Sequence, residues 1–195
     1  MRPPPVLLQT VLPGSGRRRR PTSRTCSVSL DVLCSVPQGS DVFLDANIFI
    51  YAFARQSQQC HDLLARCARE EIFGITTLEV INEVTHRMML AEAFATGVIT
   101  KENARDLKGK PQAVQGLTQY WPQTIRIFGL NLLILSSDQS RLHRAQTVRA
   151  SHGLLTNDSL LIAAMDEYGI PYLATRDDDF DHLPDVTVFK PTDLP

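Results

Sequence analysis

With 195 residues, 43% hydrophobic and 21% charged, the chain suits one globular domain with a sizeable core. The net charge of −1 hides a split, because residues 1–40 carry six arginines against one acid (+5), whereas residues 41–195 carry 14 basic and 20 acidic side chains (−6). This distribution argues against a nucleic-acid binder that acts by charge alone, since such a domain would be basic in its folded part. No apolar run has the length of a membrane span. The four cysteines show no zinc spacing, which fits a reducing cytoplasm.

The first 40 residues contain a proline run, a Gly-Ser-Gly sequence and four consecutive arginines. This composition cannot bury a core and predicts a disordered basic extension. Three interpretations stay open: a basic arm that touches RNA, a targeting segment, or an over-extended start with translation beginning near Val42. We favour the last, and we assign the folded domain to residues 41–191.

From Asp41 onward, short apolar runs alternate with helical patterns. The predicted strands cover 42–44, 73–76, 131–135, 171–175 and 186–189. The predicted helices begin just after the first strand and then cover 58–71, 78–94, 112–128, 140–151 and 158–168, with a short helical piece inside 96–105. Pro122 is expected to kink or divide its helix. This alternation implies right-handed crossovers and an α/β fold with a central parallel sheet flanked by helices.

Acidic residues stand where the apolar strands end. Asp45 directly follows Val-Phe-Leu, and Asp177 follows the strand at 171–175. A third acid, Asp158, opens a late helix. Parallel α/β sheets build their sites beyond the carboxyl ends of the strands, so these acids are expected to meet. Clustered carboxylates repel one another unless a hard divalent cation lies between them. The pattern therefore predicts a metal-dependent enzyme acting on a phosphate ester.

Purely structural roles compete with functional ones at Asp45, Asn47 and Asp158. Asp45 can cap the following helix, although its place at the mouth of the sheet favours a functional role. Asn47 either holds the Asp45 carboxylate or a metal-bound water, or is itself the cap, and both interpretations stay open. Asp158 can be explained by a favourable interaction with the helix dipole. We include it among the site residues because Asp45 and Asp177 point to the same site.

The second strand–helix unit contains two glutamates, Glu79 and Glu83, which differ in how well they qualify as site residues. Thr76 and Glu79 fit a capping box, which gives Glu79 a structural explanation. Glu83 lies one turn further, between Ile81 and Val84, where a carboxylate is costly unless it is paired or binds metal. Glu83 is therefore the site candidate and Glu79 the reserve.

The late acidic loop contains four aspartates, at 177, 178, 179 and 181. Most of them are expected to be solvated, with Asp177 pointing into the crevice and Asp179 giving a second metal contact beside the Thr175 hydroxyl. Phe180 is predicted to anchor the loop on the core. Arg87 and Arg176 are either contacts to substrate phosphates or ordinary surface charges.

Four motifs in order resemble the PIN-domain ribonucleases, and especially the VapC-type toxins of prokaryotic toxin–antitoxin pairs. They are D-A-N at 45–47, I-N-E-V at 81–84, N-D-S-L-L-I-A-A at 157–164 and A-T-R-D-D-D-F at 174–180. The likeness covers roughly residues 41–191. Two features depart from it: the basic segment before Asp41, and the longer stretch at 96–129.

The resemblance implies a three-layer Rossmann-like PIN domain and an endoribonuclease that uses Mg²⁺ or Mn²⁺. By position, Asp45, Glu83, Asp158 and Asp177 would be catalytic and metal-binding, and the acidic-loop residue Asp179 joins them as the further metal ligand inferred above. It also implies an RNA substrate, products with a 5′-phosphate and a 3′-hydroxyl, a small antitoxin partner, a homodimer and a cytoplasmic location. The alternatives are an RNA-processing nuclease without an antitoxin and a non-catalytic PIN-like module that binds RNA or protein. A phosphatase of the haloacid-dehalogenase type is disfavoured, because it needs D-x-D where this chain has Asn47.

Overall fold

The computed structural model of the chain describes residues 31–194. In this part of the chain, six strands form one sheet: β1 (Asp31–Val32), β2 (Asp41–Leu44), β3 (Phe73–Thr77), β4 (Leu133–Leu135), β5 (Tyr172–Ala174) and β6 (Thr187–Lys190). The α-helices of the described residues are α1 (Ala46–Phe53), α2 (Gln58–Ala68), α3 (Leu78–Ala95), α4 (Ala104–Leu107), α5 (Pro111–Gln115), α6 (Tyr120–Arg126), α7 (Gln139–His152) and α8 (Thr156–Tyr168). No helix in this part of the chain is long and apolar enough to cross a membrane.

The sheet is parallel throughout, with the strand order β1-β6-β5-β2-β3-β4. The chain moves outward from β2 to β3 and β4, then returns to the other side of β2 to form β5 and β6. Right-handed crossovers therefore place α1, α2 and α3 on one face and α7 and α8 on the other. The predicted α/β fold with a parallel sheet between two helical layers is confirmed. The reversal of strand order between β2 and β5 opens a crevice at their carboxyl ends.

The middle of the sheet is buried on both faces, which explains why its strands read as continuous apolar runs. Val42, Phe43 and Leu44 of β2 are fully buried. The apolar face of α2 packs against the same core, and it includes Cys60 and Cys67 as free thiols. Burial raises the pKa of Cys67 to about 12, so this thiol stays protonated and acts as a small apolar side chain.

The domain begins earlier than the sequence predicted. Residues 31–40 were assigned to the disordered extension, but β1 pairs with β6, and Asp31 lies opposite Phe189. Leu33 and Val36, which follow β1, are buried in the main core. Three aliphatic side chains among serines, a proline and a glycine give a weak pattern, so the boundary at residue 40 was wrong. The remainder of the predicted extension, residues 1–30, lies outside the described residues.

The long stretch at 96–129 forms a small helical layer on α3. The predicted division of the 112–128 helix occurs at 116–119, before Pro122 and not at it. Pro122 lies in the first turn of α6, where its missing N–H has no intrahelical partner to lose. The start of α6 is fixed instead by Glu92 of α3, whose carboxylate accepts from the backbone N–H groups of Thr118, Gln119 and Tyr120 at 2.7–2.9 Å.

One close approach in the sheet leads to a stability prediction. A Cβ atom added at Gly74 of β3 would lie 2.5 Å from Leu132 Cδ2 and 2.8 Å from Cys67 Sγ. We expect Gly74→Ala to lower the free energy of unfolding by about 1–3 kcal/mol, because core side chains must move. Gly129→Ala is the matched control, since its Cβ would meet no atom within 4 Å. Thermal unfolding of both variants checks this, and an unchanged Tm for Gly74→Ala would contradict the tight packing.

Candidate active site

The crevice beyond β2 and β5 contains a cavity of about 300 Å³, which we call the acidic cavity. Its lining residues are Asp45, Ala46, Asn47, Ile50, Tyr51, Glu83, Arg87, Asp158, Arg176 and Asp177. The structure thus brings together four acids that the sequence singled out, from the end of β2, from α3, from α8 and from the loop after β5. Asp179, the additional metal ligand predicted from its place in the acidic loop, does not line this cavity.

The Asp45 carboxylate is held in a fixed orientation by three donors. Its Oδ1 accepts from the backbone N–H of Ala46 at 2.6 Å. Its Oδ2 accepts from Asn47 Nδ2 at 2.6 Å and from Thr175 Oγ1 at 2.7 Å. Asp45 is also the N-cap of α1. The capping role and the position in the cavity therefore coexist.

Thr175 and Asn47 join the end of β2 to the loop after β5. The Thr175 hydroxyl is fully buried, donates to Asp45, and accepts from Asn47 Nδ2 at 2.9 Å and from the Asp177 N–H at 3.0 Å. Asn47 Oδ1 accepts from the Arg176 N–H at 2.9 Å. Of the two interpretations left open for Asn47, the structure therefore shows the one in which it holds Asp45. The sequence placed the Thr175 hydroxyl near the predicted metal contact, but it did not reveal that Thr175 binds Asp45, Asn47 and Asp177 at once.

Two of the acids, Asp45 and Asp158, have pKa values above those of an ordinary aspartate. Burial raises the pKa of Asp45 to about 6, although the hydrogen bonds from Thr175 and Ala46 act in the opposite direction. The negative charges of Glu83 and Asp158 add to the rise. Burial likewise raises the pKa of Asp158, and the charges of its acidic neighbours add to this. These mutual effects show that the carboxylates repel one another across the cavity.

The reasoning that separated Glu79 from Glu83 was wrong in its details. Glu83 is exposed, facing the cavity and not the core, and its Oε2 lies 3.4 Å from Asn157 Nδ2. The predicted capping box is absent, because Thr77 caps α3 by accepting from the Val80 N–H. Thr76 points the other way and donates to the carbonyl of Leu44 at 3.0 Å, as the alternation of side chains along β3 requires.

The acidic loop is more strongly tied to the core than the sequence suggested. Asp178 and Asp181 were expected to be simply solvated, but both pair with the nearly buried Lys190, at 2.6 and 2.7 Å. Phe180 is buried as predicted. Asp177 caps the short turn that follows by accepting from the Asp179 N–H at 3.0 Å. These contacts hold the loop so that the exposed Asp177 side chain lines the cavity.

The donor set fits a hydrated divalent cation. Within residues 31–194, no three carboxylate, imidazole or thiol groups converge closely enough to bind one ion directly. Mg²⁺, however, keeps several waters and commonly takes one or two carboxylates from the protein. The cavity offers hard oxygen donors of this kind, and Glu83 and Asp177 are exposed enough to rotate towards an ion. A cation would also relieve the repulsion that raises the pKa of Asp45 and Asp158.

Comparison with known proteins adds independent information. Residues 42–186 match the model of the PIN domain. A relative named Ribonuclease VapC6, from Methanocaldococcus jannaschii, is 25% identical over 153 residues, covering 77% of this chain and 97% of its own.

Solved structures with a similar fold include VapBC2 from Rickettsia felis bound to a fragment of its promoter DNA, with 18% identity, 77% and 98% of the two chains covered and a TM-score of 0.47. Another is VapC20 from Mycobacterium tuberculosis, described as a Sarcin-Ricin loop cleaving toxin, with 12% identity, 75% and 98% covered and a TM-score of 0.49. The family match spans most of the chain and includes all four motifs that suggested the resemblance, which is thereby confirmed at the level of the family. This chain belongs to the PIN domain family.

Proposed function

We propose that this protein is a divalent-metal-dependent endoribonuclease and the toxin of a type II toxin–antitoxin pair. The observation that carries the proposal is the convergence of Asp45, Glu83, Asp158 and Asp177 on one cavity at the reversal point of the sheet. Membership of the PIN domain family and the relative named as a ribonuclease support it. A module that merely binds a partner has no reason to gather four carboxylates that repel one another.

In this proposal the four acids hold Mg²⁺ or Mn²⁺, and Asp179 adds negative charge beside Asp158. The bound cation supplies Lewis acidity and lowers the pKa of water. Asn47 and Thr175 keep the Asp45 carboxylate oriented. The nucleophile in this proposal is water, so no side chain of the cavity has to form a covalent bond with the RNA. The expected products carry a 5′-phosphate and a 3′-hydroxyl.

Two arginines on the cavity wall are suited to contact the RNA backbone. Arg87 lies one turn beyond Glu83 on α3, and Arg176 directly precedes Asp177. Guanidinium groups bind phosphate oxygens and fix the register of a nucleic acid without reading its sequence. In this role they position the phosphodiester beside the carboxylates.

The proposed partner is a small antitoxin that covers the acidic cavity, with an arginine among the carboxylates as the simplest way to neutralise them. One solved structure of similar fold is a VapBC2 complex, which is consistent with such a partner. We further propose a homodimer that acts in the cytoplasm, on the analogy of the family.

Cleavage of a mixed pool of tRNA and rRNA by the purified protein tests the nuclease proposal. We expect cutting with Mn²⁺ and none with excess EDTA, because the carboxylates need a cation to approach a phosphodiester. Ligation that depends on a 5′-phosphate reports the end group. Cutting that persists in EDTA, or products that end in a cyclic phosphate, would overturn the proposed mechanism.

A further inference from the structure

A second cavity, of about 340 Å³, adjoins the acidic cavity, and we call it the flanking cavity. It is lined by Tyr51, Gln56, Arg176 and Leu194. Tyr51 and Arg176 also line the acidic cavity, so the two form one continuous groove. Among residues 31–194, the lining of the flanking cavity contains an aromatic ring, an amide, a guanidinium and an aliphatic side chain, and no carboxylate. Its chemistry is therefore distinct from that of the acidic cavity beside it.

The polar walls of the flanking cavity are well supported by the backbone. The carbonyl of Tyr51, near the end of α1, accepts from the N–H groups of Gln56 at 2.9 Å and Ser57 at 3.4 Å. Arg176 is fixed through its N–H, which donates to Asn47. Its guanidinium lies 3.5 Å from Asp178, which makes a shorter contact of 2.6 Å with Lys190. Because Asp178 is bound more closely by Lys190, the Arg176 guanidinium has N–H donors available for a ligand.

The aliphatic wall is held in place by the start of α2. Asp193 accepts from Ser57 Oγ at 2.6 Å and from the Gln59 N–H at 3.0 Å. Gln59 also exchanges two hydrogen bonds with Thr192, both at 2.9 Å. Because Ser57 is buried and itself caps α2, this anchor is part of the folded domain. It brings Leu194 to the wall of the flanking cavity.

These groups match an unpaired nucleotide. Proteins that bind single strands combine aromatic rings, on which bases stack, with cationic groups that follow the phosphates. Side-chain amides form hydrogen bonds with the edges of bases that are free of a complementary strand. A cavity of about 340 Å³ is at the small end of the range for ligand pockets, which suits one nucleoside and excludes a duplex.

We propose that the flanking cavity binds the nucleotide next to the cleaved phosphate, with its base stacked on Tyr51 and its edge read by Gln56. Arg176, at the junction of the two cavities, holds the phosphate that connects this nucleotide to the acidic cavity. The inference rests on the proposed ribonuclease function and extends it, because it gives this chain a base-reading position beside the cleaved phosphate.

Binding and cleavage of a labelled, unstructured RNA 10-mer test this subsite. In an Asp45→Asn background, in which cleavage is suppressed, we expect Tyr51→Ala to weaken binding by roughly 5- to 100-fold and Tyr51→Phe to change it by less than about twofold, since stacking needs the ring and not the hydroxyl. In the otherwise native chain, kcat/KM for cleavage is expected to fall with Tyr51→Ala to a similar extent. The same 10-mer annealed to its complement is expected to be cut poorly by the unmodified protein.

Tyr168→Ala is the matched control, because Tyr168 is a half-exposed tyrosine at the end of α8, outside both cavities. Gln56→Glu is the second test variant: Gln56 is exposed, and the new charge would repel the RNA backbone without disturbing the core. If Tyr51→Ala fails to fold by thermal unfolding, Gln56→Glu decides the question.

The outcomes separate this inference from the ribonuclease proposal. If Tyr51→Ala and Gln56→Glu both bind and cleave the 10-mer like the unmodified protein, the flanking cavity is not a nucleotide site. If the unmodified protein cuts no RNA with Mn²⁺, the nuclease proposal fails, while the binding measurements still decide whether the cavity holds a nucleotide. Equal weakening by Tyr168→Ala would also overturn the assignment to Tyr51.

Discussion

Asp45→Asn is expected to lower Mn²⁺-dependent RNA cleavage by more than about 100-fold, because loss of groups that merely support a metal ligand already costs about 10- to 100-fold. The substitution keeps the size of the side chain but removes its charge. It also turns one acceptor oxygen into an N–H₂ group that faces N–H or O–H donors from Ala46, Asn47 and Thr175. The initial rate at saturating Mn²⁺ measures the effect.

The matched control is Asp62→Asn. Asp62 is an exposed carboxylate on α2 that accepts from Gln58 and lines neither cavity. This variant is expected to cut RNA at the rate of the unmodified protein. If Asp45→Asn retained that rate as well, the observed activity would come from a contaminant or from another site, and the acidic cavity would lose its proposed role.

The second large expected effect is on the pH dependence of folding stability, measured in the absence of divalent ions. The pKa of Asp45 is raised to about 6 in the folded state, against about 3.9 in an unfolded chain. A carboxyl group whose pKa is raised in the folded state stabilises the fold at pH values below its pKa in the unfolded chain. This stabilisation is lost as the pH rises through its pKa in the folded state. Ionised Asp45 therefore destabilises the fold by about 2–3 kcal/mol at neutral pH. Asparagine carries no charge and escapes this cost.

The measurement is the difference in unfolding free energy between Asp45→Asn and the unmodified protein in EDTA, from pH 4 to pH 8. We expect this difference to shift in favour of the variant by about 2–3 kcal/mol, mostly between pH 4 and pH 6.5. Comparing the two ends of the range cancels any pH-independent cost of the new amide. Asp158, whose pKa is also raised, is present in both proteins and cancels to a first approximation.

Adding Mn²⁺ at pH 7.5 gives the complementary test. A cation bound by the carboxylates stabilises the folded state by mass action, so the Tm of the unmodified protein is expected to rise with the Mn²⁺ concentration. The Tm of Asp45→Asn is expected to rise much less. If the difference in unfolding free energy did not depend on pH and both proteins responded equally to Mn²⁺, the pKa of Asp45 would not be raised in the folded state and Asp45 would not be a metal ligand.

The sequence was most informative where a residue's place in the chain fixes its place in the fold. Asp45 and Asp177 end neighbouring parallel strands, so strand order and the crevice rule bring them together. Phe180 follows the same logic, because a large apolar residue in an acidic loop has to be buried.

The sequence was less informative where a side chain's direction depends on tertiary contacts. Thr76 and Thr77 are identical in type, and the hydrogen bond from Thr76 to Leu44 determines which of them is left to cap α3. Glu83 was chosen because of its neighbours in sequence, although the burial of Ile81 and Val84 puts them on a different side of the helix. Thr175 and Lys190 act through partners that are far away in the chain, and no local pattern reveals such partners.

The short first strand has a practical consequence for anyone producing this domain. The family match starts at residue 42, so a fragment trimmed to that boundary would lack β1 and leave the outer side of β6 without a neighbouring strand. Such a bare strand edge is a template for pairing between molecules, which leads to aggregation. It would also uncover the apolar surface that Leu33 and Val36 now bury. Residues 31–40 thus act as a built-in protection against self-association, although they look like a linker.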